Sequence, residues 1–180
     1  MSIQKLFVPW TKDLKDFYSM KQEIKPIKRS EQLAPLSREH HDGLLFAWKI
    51  KQGLENKTSL EQLRNYTMWY WRNHIKQHFY QEEKILIPYM PKGHAMAVRL
   101  KEEHDHIREL ILGLDEEADK QSLLILCDLV TKHIRFEERE LFAYLEELLT
   151  KEQLDNVFVE IEKHPVTSET EWTEEFWVRK

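Results

Sequence analysis

His78-Phe79-Tyr80-Gln81-Glu82-Glu83 and His133-Ile134-Arg135-Phe136-Glu137-Glu138 are two copies of one pattern: a His, a Glu four residues on, and a second Glu behind it. Both copies run on alike, as Leu86-Ile87-Pro88-Tyr89 and Leu141-Phe142-Ala143-Tyr144. Positions i and i+4 of a helix share a face one turn apart, so the imidazole and carboxylate of each copy can reach one metal ion or bridge two. Two such helices facing each other make a pocket of two His and two Glu, as helical bundles do when they hold paired metals. A single copy would be weak, because His/Glu pairs at this spacing occur on many solvated helices. The doubling makes it informative.

The stretches ahead of the two copies repeat as well. Leu36-Ser37-Arg38-Glu39-His40 matches Leu100-Lys101-Glu102-Glu103-His104, with Leu four residues before the His and Glu directly before it. The chain therefore reads as two helical hairpins, each with a lone His on its first helix and His-x-x-x-Glu on its second. His41 competes with His40, since His41-Asp42-Gly43-Leu44 echoes His104-Asp105-His106-Ile107. His40 lies nearer the centre of its helix's apolar stripe and is preferred.

The candidate metal ligands are then His40, His78, Glu82, His104, His133 and Glu137. Imidazole suits iron, zinc, copper and nickel, while carboxylates add hardness and can bridge. Two divalent ions carry more positive charge than two carboxylates offset, so a bridging oxide or hydroxide complements the set. Six ligands also leave open positions for a small molecule such as O₂. His74, one turn before His78, could be a fifth His ligand but is expected rather behind the ligands or facing water. Glu83 and Glu138 are expected to point aside. Asp42 and Asp105 either orient an imidazole or are solvated.

Composition narrows the rest. The 180 residues suit one domain, and four Gly, six Pro and 33% charged residues suit long helices with solvated faces. A net charge of −5 without a basic, aromatic-rich cluster excludes nucleic acid as the expected partner. Cys127 is the single cysteine, which excludes a disulfide framework, a cysteine zinc site and covalent haem; a small core residue is expected there. No leader pattern and no apolar run long enough to span a bilayer is present, so a soluble, cytoplasmic protein with no membrane partner is expected.

Periodicity predicts an all-α, antiparallel up-down-up-down four-helix bundle over 31–163, after an N-terminal extension at 1–30 and before a tail at 164–180. The extension carries a short helix over Lys12 to Lys25, with Leu14, Phe17 and Tyr18 packing outside the bundle. The first bundle helix is expected from a cap at Ser37 to about Leu54, with Leu44, Ala47, Ile50, Leu54 and Trp48 inward. The second opens on Ser59 and Gln62, carries Met68, Trp71 and Ile75 inward, and stops near Pro88. Ala95 to Leu114 and Lys120 to Leu149 complete the four. Thr150 and Gln153 open a short C-terminal helix, and Trp172, Phe176 and Trp177 of the tail are expected to dock on the body.

Leu-Ser-Arg-Glu-His at 36–40, His-Phe-Tyr-Gln-Glu-Glu at 78–83, Glu-Glu-His-Asp-His at 102–106 and His-Ile-Arg-Phe-Glu-Glu at 133–138 resemble the hemerythrin-like, HHE cation-binding domains over about residues 30–160. The resemblance implies a non-haem di-iron centre, two irons bridged by oxygen and by Glu82 and Glu137, with zinc or manganese as alternative metals. The oxygen carriers of that family have five His, with an HxxxH helix and a final HxxxxD. Here His104 and His106 are two apart, and Glu138 rather than an Asp stands five residues after His133. The pattern is more similar to a symmetric branch that includes bacterial iron–sulfur repair proteins and iron-responsive domains. It implies a protein that binds or senses O₂, NO or iron rather than an enzyme. Oxidase, peroxidase or iron–sulfur repair chemistry is the alternative, and a bundle merely held by its metal is the third reading.

Overall fold

Five helices and no strand make up residues 29–168 and 170–179, the part of the chain that the computed structural model describes. The expected helix over Lys12 to Lys25 lies outside the described residues. Helix α1 spans Ala34–Glu55. It starts before the expected cap because Pro35 occupies its first turn, where a missing N–H breaks no helical bond. Ser37 does not cap; its hydroxyl donates to Glu138 at 2.6 Å.

Helix α2 covers 60–86. Its α-helical parts, Leu60–Tyr70 and Lys76–Gln81, are interrupted by π turns at Trp71–Ile75 and Glu82–Leu86, and it closes in a 3₁₀ turn at Ile87–Tyr89. Helix α3 is Ala95–Glu116. Helix α4 comprises Lys120–Phe136, a π turn at Glu137–Leu141 and Phe142–Leu148. Helix α5, Lys151–Lys163, opens on a complete capping box between Thr150 and Gln153. At the head of α2 the box is only half made: Ser59 accepts from the Gln62 N–H, but the Gln62 side chain donates to Glu174 in the tail.

Two inward faces differ from the periodic reading. In α1, Ala47 and Ile50 are buried as expected, but Leu44 and Trp48 are exposed and Gly43 and Phe46 are buried in their place. Gly43 explains the rotation, because a Cβ there would stand 2.8 Å from Ile134 Cδ1, so the bare backbone lets α1 close on α4. In α2, Tyr70 rather than Trp71 faces inward. A π turn spans five residues, so the inward neighbour of Ile75 is five positions back, not four.

The core falls into two apolar halves. One contains Phe46, Ile50, Tyr66, Ile111 and Leu126. The other contains Leu36, Leu86, Leu100, Phe142 and Leu145, closed by Leu154, Val157 and Ile161 of α5. Each fully buried side chain of this kind contributes about 1.5–3 kcal/mol, enough together to carry a polar layer between the halves. The tail covers the first half: Trp172 and Phe176 lie 5.2 and 5.0 Å from Tyr66, and Lys49 Nζ stands 3.9 Å over the Trp177 ring. Among the described residues no helix is long and apolar enough to cross a membrane.

Candidate metal centre

The polar layer between the two halves is His40, His78, Glu82, His104, His133 and Glu137, every one of them buried. Its residues come from all four long helices. Their donor atoms form two groups within 4.8 Å, His40/His78/Glu82/Glu137 and His104/His133/Glu82/Glu137, so both glutamates belong to both. Glu82 turns Oε1 to His78 Nε2 at 3.4 Å and Oε2 to His104 Nε2 at 3.2 Å. Glu137 turns Oε2 to His40 Nε2 at 3.0 Å and Oε1 to His133 Nε2 at 3.1 Å. Each carboxylate therefore spans the two halves. His41 is exposed and outside both groups, and His74 stacks on Tyr70 at 4.5 Å instead of joining them.

A second ring of glutamates fixes the imidazoles. Glu39 lies 2.7 Å from His78 Nδ1 and Glu103 2.8 Å from His133 Nδ1. Glu138 lies 2.7 Å from His40 Nδ1 and Glu83 2.9 Å from His104 Nδ1. An ionised carboxylate only accepts, so each Nδ1 donates and each Nε2 keeps its lone pair for the centre. The pattern is two-fold. The Glu before each lone His holds the second His of its own hairpin, and the Glu after Glu82 or Glu137 holds the lone His of the other. Asp105 instead pairs with Arg108, and Asp42 is exposed. Arginines stand behind three of the four outer glutamates: Arg29 and Arg99 at 2.9 and 2.7 Å from Glu138 and Glu103, and Arg108 at 3.3 Å from Glu83.

The donor set fits a pair of cations. Both oxygens of Glu82, both of Glu137 and His40 Nε2 are buried with no hydrogen-bond partner, since their close neighbours are out of line for one. His104 Nε2 and His133 Nε2 face each other at 3.1 Å, an arrangement that two lone pairs tolerate only with a cation, proton or metal, between them. Unpaired buried carboxylates are among the costliest groups a core can hold.

Without metal, protons take that place. Burial pushes the His133 imidazole down, but the adjacent Glu137 carboxylate and the bond to Glu103 outweigh it and raise its pKa to about 10. His40 is raised well above its ordinary value against the same burial, chiefly by Glu137. Burial pushes Glu138 up, and bonds from His40, Ser37 and Arg29 overcome this and bring it to about 2. The depressed Glu138 contributes stability that is complete above its ordinary 4.5 and is lost as pH falls towards 2. The raised His133 contributes stability that is complete below its ordinary 6.5 and is lost as pH rises through 10. The metal-free protein should thus show its highest urea midpoint between those limits, and Glu138→Gln should flatten the acid limb. An unchanged acid limb in that variant would remove Glu138 from the account. Metal binding must displace these protons, so apparent affinity should fall with falling pH.

A cavity of about 40 Å³ opens against His40, His78 and His133. Glu39, Asp42, Tyr70 and His74 also line it, and Gly43, Ile75, Phe79, Ile107, Val130 and Ile134 supply apolar wall. Phe79, part of that wall, also stacks on His104 at 3.5 Å, and Phe142 stacks on His40 at 5.2 Å.

Glu83 and Glu138 do not point aside as the sequence suggests but reach His104 and His40; Glu39 and Glu103 have no expected role in the sequence, although both pairs recur in the two repeats and so carry the signal. Comparison with protein families matches residues 36–145 to the Hemerythrin HHE cation binding domain. No curated protein and no solved structure matches the chain.

Proposed function

Because the chain belongs to the hemerythrin HHE cation-binding family, we propose that it holds two metal ions, iron before zinc or manganese, and binds or senses a small ligand such as O₂ or NO, or iron itself. One ion takes His40 and His78, the other His104 and His133, and Glu82 and Glu137 are shared. The observation that carries this reading is the two-sided placement of each buried carboxylate, one oxygen toward each histidine pair. Iron is favoured by the mixed imidazole and carboxylate donors and by the small ligand space beside them. When bound, the ions would supply Lewis acidity and, as iron, one-electron redox chemistry. The protein's own residues do the rest. The outer glutamates hold each Nε2 toward the centre, the apolar halves exclude bulk water, and the cavity admits a ligand beside His78. The short links and the helix contacts support the up-down-up-down antiparallel order of the bundle, with α1 beside α4 and α3 beside both α2 and α4.

Anaerobic loading with ferrous iron, followed by air, separates the uses of such a centre. The expected result is two irons per chain and a charge-transfer band that reverses when O₂ is removed. Irreversible oxidation with turnover of peroxide would move the protein to the enzymes. Uptake of zinc alone, with no spectrum on exposure to iron and air, would leave a bundle merely held by its metal.

A further inference from the structure

Among the described residues, Val166 is the one lining the cavity that does not belong to the four long helices. It comes from the segment that follows α5, and that segment is fastened on both sides of it. Upstream, the His164 carbonyl accepts from Gln77 Nε2 at 3.0 Å and from Gln81 Nε2 at 2.8 Å. Downstream, Trp69 Nε1 donates to Thr170 Oγ1 at 2.9 Å. Gln81 is fully buried. A buried amide left unbonded costs about 1–3 kcal/mol, so the chain has a strong reason to keep the His164 carbonyl where it is. These fastenings hold the backbone on either side of Val166 against the bundle.

We propose that this C-terminal strap, through Val166, sets the size of molecule that reaches the His78 half of the centre. The proposal rests on the reading of the site as a ligand-binding metal centre. Gly43 forms another part of the same wall, and a Cβ there would meet Ile134 Cδ1 at 2.8 Å. A water needs roughly 10–15 Å³ of such space. The cavity's 40 Å³ therefore admits a diatomic or a linear triatomic molecule and must widen to take an aromatic ring. Val166 fixes that limit from outside the bundle, where its side chain can be changed without touching a metal-binding residue.

Two readouts test the strap, one with metal and one without. In iron-loaded protein, Val166→Ala should speed association of imidazole about tenfold while leaving azide little changed, the scale on which a missing methylene or two alters discrimination by an apolar pocket. Val166→Phe should slow both probes. In metal-free protein under xenon pressure, the methyl resonances of Ile134 and Ile75 should shift to saturation in the wild type and not in Val166→Phe. Unchanged probe rates in both variants would overturn the strap. So would xenon shifts that survive Val166→Phe. Xenon blocked by Val166→Phe in a protein whose iron form binds neither probe would keep the gate and sink the ligand reading behind it.

Discussion

Glu82→Ala is expected to cost the protein both metal ions together. Its two carboxylate oxygens face His78 Nε2 on one side and His104 Nε2 on the other, at 3.4 and 3.2 Å. Removing it takes a ligand from each half and leaves a single inner carboxylate to offset two cations in a buried layer. Loss of a partner behind a ligand imidazole typically lowers metal affinity about 10–100-fold, and losing a shared charged ligand should exceed that. Glu39→Gln, which touches only His78 Nδ1, sets the milder comparison. His104→Ala should be different again, because it strips one half and leaves the His40/His78 half with its own histidines and both carboxylates. Metal content after reconstitution checks all three: near zero for Glu82→Ala, reduced affinity with both ions at saturation for Glu39→Gln, and one ion for His104→Ala. Two ions retained in Glu82→Ala would mean that this carboxylate is not shared.

Stripping the metal from the wild type should lower its melting temperature by roughly 15–30 °C. At a free metal concentration about a thousandfold above Kd, each site contributes about 4 kcal/mol to the folded state. A chain of this size loses about 2–4 °C per kcal/mol. The fall is moderated by the protons that occupy the layer without metal, since the raised His40 and His133 form ion pairs with Glu137. Calorimetry with and without chelator, at fixed pH, measures it, and re-addition of metal should restore the higher value. Equal melting temperatures in the two states would show that the buried layer is satisfied without cations.

The helical fold and the buried His/Glu cluster were legible in the sequence because both are local properties of helices. A His and a Glu at i and i+4 share a face whatever the neighbours are, and the repeat then pairs the hairpins. The outer glutamates were harder, although they recur just as regularly. Glu39 reaches His78 across two helices, and Glu138 reaches His40 from the last bundle helix to the first. Their roles depend on which helices are neighbours, and no spacing within one helix reports that. Tyr70 displaced Trp71 from the core for another reason: a π turn changes the period by which inward positions are counted. The three π turns fall at Trp71–Ile75, Glu82–Leu86 and Glu137–Leu141, the last two beginning on the shared glutamates. Arg29 and Val166 belong to neither repeat. Each lies in irregular backbone beside the bundle, where no periodicity points toward the centre.

Crystals of the reconstituted full chain, with data collected on both sides of the metal absorption edge, test the central claim most directly. The account predicts two anomalous peaks about 3.5–4 Å apart, the spacing at which two metals share ligands. One peak should adjoin the Nε2 atoms of His40 and His78, the other those of His104 and His133, with Glu82 and Glu137 between them. A single peak, or peaks only at exposed histidines such as His41, would contradict it.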